Sequence, residues 1–141
     1  MREIGDAPGE VQALTTLADC YLHLNRPEAA IGLVHQVLSI GHGMISRYAQ
    51  GVAQNNLGAA YVGLDRAAAA ITQLERAVKL RRACGEPFDE ACTWRALGQA
   101  HRAMGDREQA RSSLQQAAAR FRMAGEAASA AAVETQLAEL S

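Results

Sequence analysis

Apolar residues recur along this chain at helical spacing, and the same arrangement returns every forty residues. Leu14, Leu17 and Ala18 stand at positions i, i+3 and i+4, which places them on one face of a helix, and Tyr21 at i+7 continues that face. A short polar turn follows, and then a second apolar stripe begins. Each forty-residue unit is therefore predicted to form a hairpin of two helices, called helix A and helix B.

Pairs of neighbouring residues in helix A set the register of the repeat. They are Leu17-Ala18, Leu57-Gly58, Leu97-Gly98 and Leu137-Ala138. A glycine inside a helix costs about 1 kcal/mol relative to alanine, so the aligned Gly58 and Gly98 need a packing reason. We expect them to let helix A approach Ala70 and Ala110 of helix B closely.

Polar turns separate helix A from helix B, and their side chains are expected to cap the helices that follow. The second helix of the first unit differs from the others because a Gly-His-Gly segment interrupts the apolar pattern at 41–43. This helix is expected to end near Ile40, and the connector at 39–51 is expected to be the most mobile internal segment. The expected capping residues are Asn25, Asp65 and Asp106.

The alignment divides the chain into three repeats with an incomplete unit at each end. The first residues align with those eighty positions later, so they are interpreted as the tail of a preceding repeat. The last residues repeat a helix A pattern and are interpreted as a capping helix or half-repeat. The predicted division is a tail at 1–8, repeats at 9–43, 44–85 and 86–125, and the capping segment at 126–141.

Composition favours an all-α protein without catalytic or metal chemistry. Hydrophobic residues make up 49% of the chain and aromatic residues only 4%, which suits closely packed helices better than a β-sheet. The four histidines are scattered and the three cysteines show no metal-ligand spacing, so we expect no metal, no cofactor and no enzymatic activity. Cys20 is expected on the buried stripe, whereas Cys92 has no nearby base that would activate it.

The charge and the cysteines of the chain also predict its class of partner and its location in the cell. The net charge of -1 lacks the cationic footprint of a nucleic-acid-binding protein. No apolar run is long enough to cross a membrane and no signal sequence is visible, so a cytoplasmic protein is expected. Unpaired cysteines fit a reducing cytosol, and the excess of arginine over lysine hints at a GC-rich bacterial genome.

The third unit resembles a tetratricopeptide repeat. That family's signature is W-x2-L-G-x2-Y, then A-x3-F, then P, and the third unit has "WRALGQAHRAMGD" at Trp94 to Asp106 followed by Ala110 and Leu114. Here His101 replaces the tyrosine, the closing proline is missing, and the period is forty rather than thirty-four. Longer variants of the repeat occur in kinesin light chains and in the sensory arrays of bacterial STAND-class ATPases and antibiotic-pathway regulators.

The resemblance implies a right-handed superhelical array of antiparallel helix hairpins with about three repeats and a C-terminal capping helix. In such arrays the A helices line a concave surface that binds proteins or peptides. The alternative is that the outward residues of the A helices form a face that is exposed to solvent and binds no ligand. The chain keeps only Asn56 of the set that clamps C-terminal carboxylates in chaperone adaptors, so such an adaptor is not expected. The predicted partner-binding residues are Thr15, Asp19, Asn55, Asn56, Arg95, Gln99 and Arg102.

Three hypotheses of function stay open from the sequence. The first is an interaction module, the sensory or regulatory part of a larger bacterial protein such as a transcriptional regulator, which binds a protein, a peptide or another domain of its own chain. The second is a scaffold that self-associates through open array ends at Ile4 and Leu140. The third, disfavoured by charge, is a nucleic-acid-binding module that uses Arg76, Arg81, Arg82, Arg120 and Arg122.

Overall fold

The computed structural model describes residues 7–40 and 47–140, and within these ranges the chain is all-α. Each helix packs against the next one along the chain wherever both are described, which confirms the predicted array of hairpins. The seven helices of the described part are α1 (Ala7–His23), α2 (Pro27–Leu38), α3 (Arg47–Gly63), α4 (Ala67–Cys84), α5 (Pro87–Ala103), α6 (Arg107–Met123) and α7 (Ala127–Glu139).

The A helices are α1, α3, α5 and α7, and the B helices are α2, α4 and α6. The first three A helices end at residues 23, 63 and 103, which keeps the period of forty seen in the sequence. Besides packing on the B helices, α3 contacts both α1 and α5, so these three A helices lie side by side. The placing of repeat boundaries at single residues stays a prediction.

The turns inside the hairpins use a left-handed residue, and this corrects two of the three expected caps. Asn25 and Asp65 have positive φ values of 59° and 61°, and Gly105 has the same conformation with φ 79°. Asn and Asp tolerate this region better than other residues with a side chain, which explains their presence in the turns. Only Asp106, one position later, caps its helix, because its side chain accepts a hydrogen bond from the backbone N–H of Gln109 at 3.1 Å.

The two aligned glycines make room for leucines of helix B. A Cβ atom on Gly58 would lie 2.5 Å from Cγ of Leu74, and a Cβ on Gly98 would lie 2.6 Å from Cγ of Leu114. Real side-chain atoms do not approach this closely. Each leucine can therefore pack directly against helix A only because the glycine has no side chain. The close approach is confirmed, although leucine side chains rather than alanines make the nearest contacts.

The first B helix is shorter than the other two, as expected. It has 12 residues and ends at Leu38, whereas α4 has 18 residues and α6 has 17. The backbone N–H groups of Ser39 and Ile40 still donate to helix carbonyl groups, which closes the end of α2. The rest of the connector, for which mobility was predicted, includes residues 41–46, which lie outside the described residues.

One of the two residues expected at an open end of the array is buried. Leu140 is only 5% exposed and packs with Val133 of α7, so it offers no open end face. Ile4, the other residue of the self-association hypothesis, lies outside the described residues. At the α1 end Leu17 is 45% exposed and Cys20 is also exposed, which contradicts the expected burial of Cys20. No described helix covers this face of α1, whereas a preceding B helix covers the equivalent faces of α3 and α5.

Candidate interaction groove

Six of the seven predicted binding residues have side chains at least partly open to solvent. Asn56 is the exception, since it is only 7% exposed and lies beside the buried Leu57 and Gly58. One residue along a helix turns the side chain by about 100°, which carries Asn56 away from the surface and into the packing between helices. We call the remaining six the A-helix face: Thr15, Asp19, Asn55, Arg95, Gln99 and Arg102.

The basic part of this face is partly neutralised by neighbouring residues. Arg95 is half-buried, and its guanidinium lies 5.3 Å from the centre of the Phe121 ring, within the range of a cation–π contact. Arg102 donates from Nη1 to Glu139 of the capping helix at 3.5 Å. The sequence pattern suggested two equivalent cations here, but only Arg95 is without a carboxylate partner among the described residues.

A buried polar network joins α3, α4 and α5 beneath the A-helix face. The hydroxyl of Thr93 donates to Oδ1 of Asn55 at 2.9 Å and accepts a hydrogen bond from Nη1 of Arg81 at 3.0 Å. The same Arg81 nitrogen donates to the backbone carbonyl of Asp89 at 2.9 Å. The side-chain amide of Asn55 therefore takes part in this network, although Asn55 is also partly exposed to solvent. Sequence reasoning missed Arg81 and Thr93 as parts of this region.

A second network centres on Glu90, which is 7% exposed. Its Oε2 accepts hydrogen bonds from Nε of Arg120 at 2.8 Å, Nε1 of Trp94 at 3.0 Å and Nε of Arg82 at 3.3 Å. Burial raises the pKa of Glu90, but the hydrogen bonds and the positive charge of Arg120 outweigh burial, so the pKa lies below its ordinary value. One carboxylate thus ties α4 and α6 to α5.

Four of the five arginines named in the nucleic-acid hypothesis are engaged with other residues of the fold. Arg82 and Arg120 are held by Glu90, and Arg122 forms an ion pair with Glu134 of α7. Arg81 is only 7% exposed. Of the five arginines in that hypothesis, Arg76 alone is exposed without an ion pair among the described residues. Among the described residues, these five arginines therefore do not form a row of unpaired cations along the B helices.

Cys92 stands on α5 between the two networks and is half-buried. Burial raises the pKa of its thiol, and the nearby Arg95 and Arg81 oppose this shift without cancelling it. A thiol with a raised pKa is a poor nucleophile at neutral pH, because the thiolate is the reactive form. The described residues contain no group of three His, Cys, Asp or Glu side chains that could hold a metal ion.

The opposite side of α5 carries a cleft of about 390 Å³ between α4 and α6. Trp94 and His101 of α5 form part of its wall, and Lys79 and Ser112 line it from the two B helices. His101 stands where the first two repeats have the larger Tyr21 and Tyr61, which leaves more space at this position.

Among the described helices, none has the length and apolar character needed to cross a membrane.

Comparison with known families decides what this array is. A family model described as tetratricopeptide repeat matches residues 49–139, which is more than half of the chain. This chain belongs to the tetratricopeptide repeat family. The seven described helices and their hairpin order agree with that membership. No curated protein sequence matches the chain.

Solved structures of other tetratricopeptide proteins share the fold at low sequence identity. A protein from Podosopora anserina described as a kinesin light chain with nearly identical TPR-like repeats is 22% identical, with a TM-score of 0.77 over 94% of this chain and 66% of that one. The TPR domain of Arabidopsis FLU is 17% identical, with a TM-score of 0.75 over 83% of this chain and 98% of that one. A Rap protein complexed with Competence and Sporulation Factor is 18% identical, with a TM-score of 0.79.

The lengths of these proteins differ. The present chain spans 66% of the kinesin light chain structure and, although 99% of it aligns, only 42% of the Rap protein. At these identities the likeness shows the fold. The tetratricopeptide fold is in general an interaction scaffold.

Proposed function

We propose that this tetratricopeptide array is a protein- or peptide-interaction module whose partner binds along the A-helix face. The observation that carries the proposal is that the residues of this face differ from repeat to repeat while the leucines on the opposite stripe of the A helices recur. Thr15, Asn55 and Arg95 occupy the same register position on successive A helices and all reach solvent. Leu57 and Leu97, on the opposite stripe, are 3% and 2% exposed. A constant skeleton with different polar side chains is what a partner-specific surface requires.

The proposed setting is the sensory or regulatory part of a larger bacterial regulator in the cytoplasm. Support comes from the long repeat period and from the likeness to a Rap protein, whose structure holds Competence and Sporulation Factor. By analogy, the partner is a protein, a peptide or another domain of the parent chain. Free cysteines and the absence of a membrane-spanning helix among the described residues agree with this setting.

Affinity capture from a lysate of the host organism tests the proposal. The test variant combines Asp19→Ala, Arg95→Ala and Gln99→Ala, which truncates the A-helix face and leaves the network of Asn55 intact. A control variant removes one acidic, one basic and one amide side chain from exposed positions of the B helices: Glu75→Ala, Arg76→Ala and Gln115→Ala. We expect a partner to be retained by the wild type and the control but lost by the test variant. Equal retention by all three would place binding elsewhere.

A second candidate function is self-association, and the exposed face of α1 favours it. A cleft on this face is lined by uncharged residues, so two copies could meet there without repulsion between like charges. Leu17 is its largest exposed apolar side chain. Leu17→Asp is expected to convert a concentration-dependent dimer into a monomer in light-scattering measurements. A wild-type monomer mass at every concentration would refute this candidate. The lining residues are Gly9, Gln12, Ala13, Thr16, Leu17 and Cys20.

A further inference from the structure

The cleft between α4 and α6 is lined by two residues that are smaller than their equivalents in the second repeat. At the position of His101 the second repeat has Tyr61, whose side chain packs against the hydrophobic core. At the position of Ser113 it has the longer Gln73. His101 and Ser113 both line the cleft, so the third repeat has shorter side chains where the cleft opens. Its volume of about 390 Å³ lies in the range of small-molecule sites.

Ser113 places a hydroxyl without a partner in this cleft. The residue is only 3% exposed, and its side chain makes no hydrogen bond with another residue in the described part of the chain. Its neighbour Leu114 packs on Gly98, midway between Trp94 and His101, so Ser113 lies near the middle of the cleft. Buried polar groups in proteins are normally hydrogen-bonded. A bound molecule with an acceptor oxygen would supply the missing partner.

Two cations of α4 line the same cleft. Lys79 and Arg82 are three residues apart, which places them on neighbouring turns of one helix face. Lys79 is the only lysine of the chain, and no carboxylate of the described residues lies within ion-pair distance of its amino group. An unpaired ammonium group at the edge of a cleft attracts anions into it.

Arg82 is held in place at one end of the cleft. Its Nε donates to Oε2 of Glu90 at 3.3 Å, and its guanidinium lies 5.9 Å from the centre of the Trp94 ring. The same Glu90 oxygen accepts a hydrogen bond from Arg120, so one carboxylate is shared by two guanidinium groups and a positive charge is left over. The Nη groups of Arg82 make no hydrogen bond with any described residue. They are therefore available as donors to a ligand.

The other end of the cleft carries polar groups of a different kind. Glu75 lies about 10 Å from Arg82 along α4, because a helix rises 1.5 Å per residue. On α5, His101 lies the same distance from Trp94, which contacts Arg82. Glu75 and His101 thus line the end away from Arg82. A carboxylate and an imidazole both hydrogen-bond hydroxyl groups.

We propose that this cleft binds a small phosphate monoester that carries hydroxyl groups. Its phosphate would lie between Lys79, Arg82 and Ser113, and its hydroxyl groups would reach Glu75 and His101. A phosphate monoester carries about −1.5 to −2 charge at neutral pH and three acceptor oxygens. These match two cations and a hydroxyl better than the single negative charge of a carboxylate does. The site lies on the opposite side of α5 from the A-helix face, so it does not rest on the interaction function proposed above.

Four small molecules serve as probes in an NMR titration of the 141-residue chain: glycerol 3-phosphate, D-glycerate, glycerol and inorganic phosphate. The Nε1–H signal of Trp94 reports binding, because Trp94 is the only tryptophan of the chain and lines the cleft. We expect glycerol 3-phosphate to bind at least about tenfold more tightly than each of the other three. Its affinity should fall as the salt concentration rises.

Three variants and one control locate the site. Lys79→Met and Ser113→Ala should each weaken the binding of glycerol 3-phosphate by at least about fivefold. His101→Tyr restores the residue of the earlier repeats and should weaken binding by filling the cleft, while the helical content measured by circular dichroism stays unchanged. Arg76→Met removes an exposed charge from the same helix outside the cleft and should bind as tightly as the wild type.

Each alternative result overturns a defined part of the proposal. D-glycerate binding as tightly as glycerol 3-phosphate would overturn the choice of a phosphate, and inorganic phosphate binding as tightly would overturn the choice of an ester. Affinity that survives both Lys79→Met and Ser113→Ala would overturn the placement in this cleft. A chain that does not bind glycerol 3-phosphate would overturn the whole proposal. None of these results bears on the A-helix face, which the capture experiment tests separately.

Discussion

The close approach of α5 and α6 makes a strong prediction about Gly98. A Cβ atom there would lie 2.6 Å from Cγ and 2.7 Å from Cδ2 of Leu114. Leu114 is 1% exposed and has little room to move, so Gly98→Ala forces the two helices apart or displaces the leucine. Overpacking of this kind costs about 1–3 kcal/mol. Alanine in place of a helical glycine returns about 1 kcal/mol, which leaves a net destabilisation of about 1 kcal/mol.

Gly32 provides the matched control for this prediction. It lies inside α2, and a Cβ atom on it would meet nothing within 4 Å. Gly32→Ala should therefore stabilise the protein by about 0.5–1 kcal/mol, the opposite sign to Gly98→Ala. Urea denaturation followed by circular dichroism at 222 nm, a wavelength standard for helices, measures both changes in the free energy of unfolding.

A double substitution tests the mechanism rather than the magnitude. In a Leu114→Ala background the obstructing side chain is gone, so adding Gly98→Ala should stabilise that variant instead of destabilising it. If Gly98→Ala proves as stabilising as Gly32→Ala in the wild-type background, the proposed close contact between α5 and α6 is wrong. If the sign does not reverse in the Leu114→Ala background, the cost arises from something other than Leu114.

Three further predictions concern single side chains. Glu90→Gln should lower the free energy of unfolding by about 1–3 kcal/mol at pH 7. Because the folded-state pKa of Glu90 is depressed, its contribution is present above the unfolded-state pKa and is lost as pH falls through the folded-state pKa, so the difference between wild type and variant in urea denaturation should shrink on acidification below about pH 4.3. Asp106→Ala should cost about 1 kcal/mol in the same assay, whereas Glu126→Ala should cost almost nothing because Glu126 makes no side-chain capping bond. Cys20 should react with a thiol reagent such as DTNB faster than Cys92, whose thiol is half-buried and has a raised pKa; a faster Cys92, followed by mass spectrometry, would contradict the arrangement of α1 and α5.

Local signals in the sequence were sufficient for the repeat and its helices. The spacing of Leu57 and Gly58 and its return at Leu97 and Gly98 specify a helix face and a period, because both depend only on how residues project from a helix. The aligned glycines also predicted a close helix pair, which the leucines of the B helices now account for. The early end of α2 followed from the glycines after it in the same way.

Burial and pairing of individual polar residues depended on which helices became neighbours. Cys20 continues an apolar stripe in the sequence, but it is exposed because no described helix covers that face of α1. Asn56 was predicted to bind a partner together with Asn55. It is buried because its side chain, one residue further along the helix, points about 100° away from that of Asn55.

The arginines show the same division between sequence and tertiary structure. The nucleic-acid hypothesis from the sequence gave them one shared role. In the fold, Arg82 and Arg120 meet on Glu90, whereas Arg81 enters the space left by Gly51 and reaches Thr93. A helical period fixes the direction in which a side chain leaves its own helix. The charge that it then meets comes from residues up to some forty positions away, and only the packing of the helices brings those residues together.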